Sequence, residues 1–356
     1  MTTYSTAIIG VGAPTHSPVR GGGHQIGYTH AGAYLRHPSM RLNAAADINP
    51  ANLSAFREAK GEVLGYGDYR QMLRDVRPDV VSICTYVGLH REMIEACAAS
   101  GVRGVICEKP FVNSPAELVA VRHLVAETGM KIVVTHIRRY FPAFYTAARE
   151  FQNGIVGKPL LAFTGLEGWD LSEMGSHHFD LTRMFHGDLP VSYVMGQGRV
   201  RNATGYGHAM EDHAIAYIEF DDGSRGLIDG GRGINGGGFS LVGTEGAIHI
   251  EAERRIKIFG PNGEEVRDYS NHPESVWESA WDRLFASLID WMEGSPEPPC
   301  GFTSAARSAE LNLAAYISMI RGDRVDLPLV DPLDEWPVDL LARRSDEYRL
   351  SALGRA

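Results

Sequence analysis

Along residues 1–135, short apolar runs alternate with segments whose apolar positions recur every three or four residues. STAIIG, RLNAAAD, DVVSICT, VRGVICE and KIVVTH read as short buried strands. Between them lie GYTHAGAYLRHP, stopped by Pro38, and NPANLSAFREAKG, opened by an Asn-Pro pair and closed by Gly61. HREMIEACAASG and SPAELVAVRHLVAETG follow. In the latter, Ser114 is placed to cap a helix, with Pro115 at its first position and Glu117 three residues after the cap. Repeated β-α units of this length predict a parallel, doubly wound sheet over 1–135.

After about residue 136 the period changes from helical to two. VSYVMGQGRV, HAIAYIEF, SRGLIDGGR, FSLVG, AIHIE and RIKIFG are separated by DDG, GTEG and PNG turns, which predicts a meander of antiparallel strands. The helical patterns WESAWDRLFASLIDWMEG and SAARSAELNLAAYISMIRG are expected to flank it. Residues 136–330 thus read as an α+β domain with an open, mainly antiparallel sheet. The charged, proline-interrupted stretch 331–356 reads as an extension packed on the surface or on a neighbour.

Composition narrows the partners. A formal charge of −10 argues against nucleic acid, whose phosphates need a concentrated basic surface. No apolar run approaches the roughly 20 residues of a membrane span. The opening MTTYSTAIIG lacks the basic and apolar regions of a secretory leader. Cys84, Cys97, Cys107 and Cys300 show no C-x-x-C spacing, so reduced thiols in a cytoplasmic protein are expected.

The first strand runs into GVGAPTHSPVRGGGHQIGYTHAGAY. A dinucleotide turn has the form G-x-G-x-x-G and leads straight into a helix. Gly10 and Gly12 fit, but 14 residues separate Gly12 from Gly27, where the fingerprint has two. Gly27 opens the helical segment, and Asp47 ends the second strand 20 residues later, where an acid accepts hydrogen bonds from ribose hydroxyls. Strand, glycines, helix, strand and acid in this order point to a nucleotide site rather than a glycine-rich surface loop. With Asp47 present and no arginine after it, NAD is expected over NADP, whose 2'-phosphate the carboxylate would repel. For the inserted residues, with Arg20, Gly21 to Gly23 and His24, three readings stay open: a cover over the phosphates, a solvent loop, or a contact with a neighbouring subunit.

In LSEMGSHHFDLTRMF, Glu173, His177, Asp180 and Met184 fall on one stripe if the segment is helical. A carboxylate one turn from an imidazole can orient it and raise its basicity, as a general base requires; a packing pair is the other reading. His178 points about 100° away on such a helix. No metal is expected, because HHFDLTRMFH lacks H-E-x-x-H spacing and EDH, at Glu211 to His213, opens a strand.

A more specific signal is VICEKPFVNSPAEL. Its Glu108-Lys109-Pro110 resembles the E-K-P motif of the Gfo/Idh/MocA oxidoreductases. TYVGLH resembles the family's T-P-N-x-x-H segment, with Tyr86 and Val87 in place of Pro and Asn. HIRRYFPAFYTAAREFQNGIVGKPL and EMGSHHFDLTRMF resemble the stretches N-x-R-F-x-P…G-x-I-G-K-P and D-x-G-x-H-x-x-D-L. MEDHAIAYIEFDDGS, LVGTEGAIHIE and AAYISMIRGDRVDLPL carry the likeness to nearly the whole chain.

The resemblance implies an NAD(P)-dependent enzyme acting on sugars or cyclitols, with a Rossmann domain, a sheet domain and the substrate between them. It implies Lys109 near the reacting carbon and polarising the substrate oxygen, Glu108 near the nicotinamide ribose, and Thr85 and His90 as further cofactor contacts. His177 aligns with the catalytic His. Glu173 replaces the family's Asp, which leaves open whether its longer arm touches substrate, His177 or both. His136, Tyr140, Asp180 and Arg232 are expected substrate contacts, with packing as the other reading of Tyr140 and of Arg139, and a solvent-facing side chain that of Arg232. A homodimer or homotetramer through the second sheet is expected. Two rival activities keep the same motifs: glycoside cleavage through transient oxidation by a tightly held NAD, and a nucleotide-binding sensor without catalysis.

Overall fold

The computed structural model describes residues 2–14, 25–200, 208–231 and 237–352. The inserted residues 15–24, with Arg20 and His24, and the predicted substrate contact Arg232 lie outside the described residues. The chain divides into two compact units. The first comprises Met1–Val112, Val119–Ile137 and Trp277–Ala305; the second comprises Asn113–Leu118, Arg138–Val276 and Ala306–Ala356.

In chain order the first part runs β1 (Tyr4–Ile9), α1 (Ile26–Arg36), β2 (Met40–Ala46), α2 (Pro50–Lys60), β3 (Leu64–Tyr66), α3 (Tyr69–Val76), β4 (Val80–Ile83), α4 (His90–Ala99), β5 (Gly104–Cys107), α5 (Pro115–Thr128) and β6 (Lys131–Val134). The strands form one six-stranded parallel sheet in the order β3-β2-β1-β4-β5-β6. This is the doubly wound sheet the apolar runs predict. Its strand order reverses between β1 and β4, the place where such sheets bind ligands at their carboxyl ends. Ala7, Ile8, Val80, Val81, Ile83, Val105 and Ile106 are wholly buried.

The helix signals act as expected. Asn49 accepts a hydrogen bond from Ala51 N at 3.0 Å, and Ser114 Oγ accepts one from Glu117 N at 3.1 Å. β3 and α3 carry too little apolar signal to be foreseen: LGY is mostly exposed, and α3 buries only Met72 and Leu73.

The chain continues with α6 (Pro142–Gln152), β7 (Pro159–Gly165), α7 (Gly175–Phe185), β8 (Val191–Arg199), β9 (His213–Phe220), β10 (Arg225–Gly230), β11 (Gly238–Gly243), β12 (Gly246–Glu251), β13 (Arg255–Gly260) and β14 (Gly263–Asp268). Then come α8 (Trp277–Met292), α9 (Phe302–Arg321), β15 (Val325–Asp326) and α10 (Pro337–Ala352). The second sheet has nine strands in the order β14-β13-β12-β11-β7-β10-β9-β8-β15. All pairings are antiparallel except β7 with β10. β9 alternates buried and half-buried positions, as its period of two requires. β14 is nearly all exposed, and its charges guard a sheet edge.

One expectation needs correction. α8 does not flank the meander but packs on the first sheet, where Trp281 and Phe285 close over His30 and Phe285 over Tyr34. Its period marks an amphipathic helix without saying which sheet covers it. Among the described residues, no helix is long and apolar enough to cross a membrane.

Candidate active site

At the carboxyl end of β1, Gly10 and Gly12 take φ of +83° and +69°, a region that favours glycine. A Cβ at Gly10 would stand 2.8 Å from Thr85 Cγ2 and 2.9 Å from the Cys84 carbonyl. A Cβ at Gly27 would stand 2.6 Å from Val11 O, so α1 meets the strand end at a distance only glycine permits. That close approach is what the third glycine of a dinucleotide turn provides. The long insertion therefore leaves the two ends of the turn packed against each other.

Asp47, half-buried after β2, accepts hydrogen bonds at Oδ2 from Val11 N and Gly12 N, both at 3.0 Å, and at Oδ1 from Asn49 N at 2.8 Å. A carboxylate has about four acceptor positions, so it can fasten the turn and still receive a ribose hydroxyl. Positive-φ glycines, a helix start pressed on the strand and an acid tied to the turn fit a dinucleotide.

Glu108 and Lys109 follow β5. Glu108 is buried, and its Oε1 lies 3.0 Å from His30 Nε2. His30 Nδ1 lies 2.9 Å from Ser82 Oγ, which lies 2.7 Å from Tyr34 OH. Burial works to raise the Glu108 carboxyl, but the His30 hydrogen bond and charge, then Lys109, outweigh it and hold it below the usual range. Lys109 is half-buried at the strand's carboxyl end.

Thr85 packs beside Gly10. His90 is wholly buried, its ring nitrogens 3.1 Å from Phe111 O and 3.0 Å from Thr85 O. It ties the chain after β4 to the chain after β5. His136 is buried after β6, and its carbonyl accepts the Cys300 thiol at 3.2 Å.

In the second unit the predicted stripe is broken. α7 begins at Gly175, so Glu173 belongs to the turn before it. That turn is closed by Asp170, whose carbonyl accepts from Gly175 N at 2.9 Å and whose Oδ2 accepts from Glu173 N at 3.1 Å. Glu173 Oε1 lies 3.1 Å from His208 Nε2, an imidazole that also stacks on Trp336 with centroids 3.9 Å apart. Burial lowers the His208 imidazole, but Glu173 outweighs it and holds it above its ordinary value. His208 is thus a partner of Glu173 that sequence spacing missed, 35 positions away. Trp336 comes from the charged extension, which packs here on its own unit.

His177 is buried in the first turn of α7. His178 stacks on Phe239, and burial, with Arg138's charge, pushes it down to about 3, so it is a neutral packing group. Asp180, expected as a substrate contact, is buried and bound within its own unit. Its Oδ2 accepts from Arg139 Nε at 2.7 Å and its Oδ1 from Ser308 Oγ at 3.0 Å, all of it buried. Arg139 also bonds Asp188 through both terminal nitrogens, at 2.8 Å each. Arg139 is thus enclosed between two carboxylates, and Tyr140 is half-buried beside it.

Two buried acids hold the same turn. Glu211, wholly buried, accepts from Leu171 N and from Tyr316 OH, the latter at 2.8 Å. Burial, then the charge of Asp170, pushes its carboxyl up to about 7, and burial raises Asp170 as well. Among the described residues, no group of three His, Cys, Asp or Glu side chains is placed to hold a metal ion.

The parallel sheet and its glycine turn define a dinucleotide-binding fold, and the comparisons make it that of an NAD-dependent oxidoreductase acting on CH–OH groups. Residues 19–136 match the family model described as the oxidoreductase family, NAD-binding Rossmann fold, and residues 164–249 match the GFO/IDH/MocA C-terminal domain. The chain is 30% identical to scyllo-inositol 2-dehydrogenase (NAD(+)) of Bacillus subtilis, over 66% of this chain and 73% of that protein. It is 24% identical to D-apiose dehydrogenase of Paraburkholderia graminis, over 84% and 86%. A crystal structure of an oxidoreductase from Agrobacterium radiobacter, in complex with NAD+, L-tartaric acid and magnesium, superposes with a TM-score of 0.76 at 21% identity, covering 91% of this chain and 98% of that one. The chain belongs to the Gfo/Idh/MocA family.

Proposed function

We propose that the protein dehydrogenates a sugar, sugar derivative or cyclitol. The carrying observation is the placement of Glu108 and Lys109 at the carboxyl end of β5, where the family's E-K-P motif falls, with Glu108 fixed by His30. The relatives' names, an inositol and an apiose dehydrogenase, denote polyhydroxylated substrates and support that class. NAD, when bound, supplies the acceptor for hydride.

The chain's own residues do the rest. Gly10, Gly12 and Gly27 open the backbone to the pyrophosphate, and Asp47 and Glu108 hold ribose hydroxyls. The Lys109 ammonium donates to the substrate oxygen and stabilises the negative charge that grows on it. His177 takes the hydroxyl proton, and Glu173, held by His208, accepts from a substrate hydroxyl. Burial of His177 excludes competing water. His136 and Tyr140 serve as further substrate contacts. The reaction belongs in the cytoplasm, in keeping with four free cysteines. Assembly as a dimer or tetramer runs through the second sheet, where β8 leaves Met195 exposed and β9 leaves Ile215 and Tyr217 half-exposed.

The test is NAD reduction across aldoses, glycosides, inositols and sugar acids. Lys109→Ala and His177→Ala should each lower turnover about 10²- to 10⁴-fold, the usual worth of a proton-transfer or polarising group, while NAD still binds. Full turnover in both variants refutes the assignment.

A further inference from the structure

The second unit holds a buried polar cluster that the proposed reaction does not use. Asp170 and Glu211 are both fully inaccessible to water. Between them they hold the backbone of the turn that carries Glu173. Glu211 accepts from Leu171 N, and Asp170 accepts from Glu173 N and from the Ser172 hydroxyl. Asn312 completes the clamp by donating to Leu171 O at 2.7 Å.

The groups facing this pair can be named element by element. Tyr316 and Asn312 come from α9, Ser172 and Glu173 from the turn, and His208 from the segment before β9. Tyr316, Ser172 and Asn312 are neutral. His208 is the one basic group in this set, and Glu173 already holds it. Asp170 and Glu211 are enclosed where water cannot screen them. Among the described residues, Asp170 Oδ1 is buried and makes no hydrogen bond. Two like charges so placed do not both ionise; they hold one proton between them.

We propose that Asp170 and Glu211 share a single proton, and that this proton keeps the 170–175 turn in place, making the pair positioning residues for Glu173. While the proton is present, the pair binds the turn as one anion. When it leaves, two anions repel across Leu171, and the turn that carries Glu173 into α7 loosens. The inference rests on the proposed part of Glu173 in substrate handling.

Glu211→Gln tests it, because the amide keeps an acceptor for Leu171 N and removes the titration. Urea midpoints of the unliganded protein are measured from pH 5.5 to 9, beside kcat/KM of the NAD-loaded enzyme. A carboxyl raised in the folded state stabilises it fully at low pH, and that stability is lost as pH rises through the folded value. The wild-type midpoint should therefore fall through neutrality, and Glu211→Gln should flatten that fall. The alkaline limb of kcat/KM should move up by about one pH unit or more, or vanish.

An unchanged pH slope of the midpoint overturns the shared proton. A flattened slope with an unmoved alkaline limb overturns the positioning role. Should Glu211→Gln fail to fold, Asp170→Asn carries the same two readouts. A wild type inactive on every polyol refutes the dehydrogenase reading instead, while the midpoints still decide the proton.

Discussion

Gly27→Ala puts the reading of the nucleotide turn at risk. The added Cβ would meet Val11 O at 2.6 Å, Val11 Cα at 2.8 Å and Gly10 O at 2.9 Å. Ordinary contact begins near 3.4 Å, so the closest approach is short by about 0.8 Å. All three neighbours are backbone atoms of the turn, and none can swing aside as a side-chain tip would. α1 must retreat or the turn must deform, and overpacking of this kind costs about 1–3 kcal/mol of folding stability. The same retreat draws the helix's first N–H groups away from the place of the pyrophosphate. Lengthening one charge-assisted hydrogen bond there costs about 1.5 kcal/mol, roughly tenfold in the NAD dissociation constant. Calorimetric titration with NAD and urea melts without it separate the two losses. Lower stability with unchanged NAD affinity would make Gly27 a packing residue only. No change in either would show that α1 does not press on the turn.

Three further outcomes follow from the geometry. Asp180→Ala removes one carboxylate from a buried ion pair and should cost about 3 kcal/mol in a urea melt, since Asp188 still faces Arg139; a raised KM with an unchanged melt would restore Asp180 as a substrate contact. Asp47→Asn keeps an acceptor but removes the charge, so NAD should weaken while the preference for NAD over NADP narrows; equal weakening of both cofactors would leave Asp47 only its bonds to Val11 N and Gly12 N. Dialysis against a strong chelator should leave NAD reduction intact, and loss of turnover restored by one added metal would refute metal-free catalysis.

The fold was legible where burial imposes a period. Strands buried on both faces read as continuous apolar runs, and β8 to β13 read as alternation, so both sheets could be predicted. What escaped was whatever lacks an apolar face or chooses between partners. β3 and β14 are mostly exposed, and the amphipathic pattern of α8 fits either sheet. The cofactor turn was legible because φ and close approach restrict residue type: glycine at 10, 12 and 27 is a statement about backbone, and backbone demands survive in sequence even across a long insertion.

Side-chain pairing in the second unit is a different kind of information. Asp180 falls on a helical stripe, and nothing near it in sequence announces that it pairs with Arg139, 41 positions earlier. Glu173 lies in the turn before α7, and an imidazole it meets, His208, stands 35 positions on, where no helical spacing points. Glu211 looks like an ordinary strand-opening acid until its partners are known, and those lie 40 positions back at Leu171 and 105 ahead at Tyr316. An acid at a strand start costs nothing when solvated, whereas the same acid enclosed beside Asp170 must keep a proton or repel its neighbour. The chemistry of this site is therefore set by enclosure, which residue order does not encode locally, and the acids that matter most are those with the least distinctive surroundings in sequence.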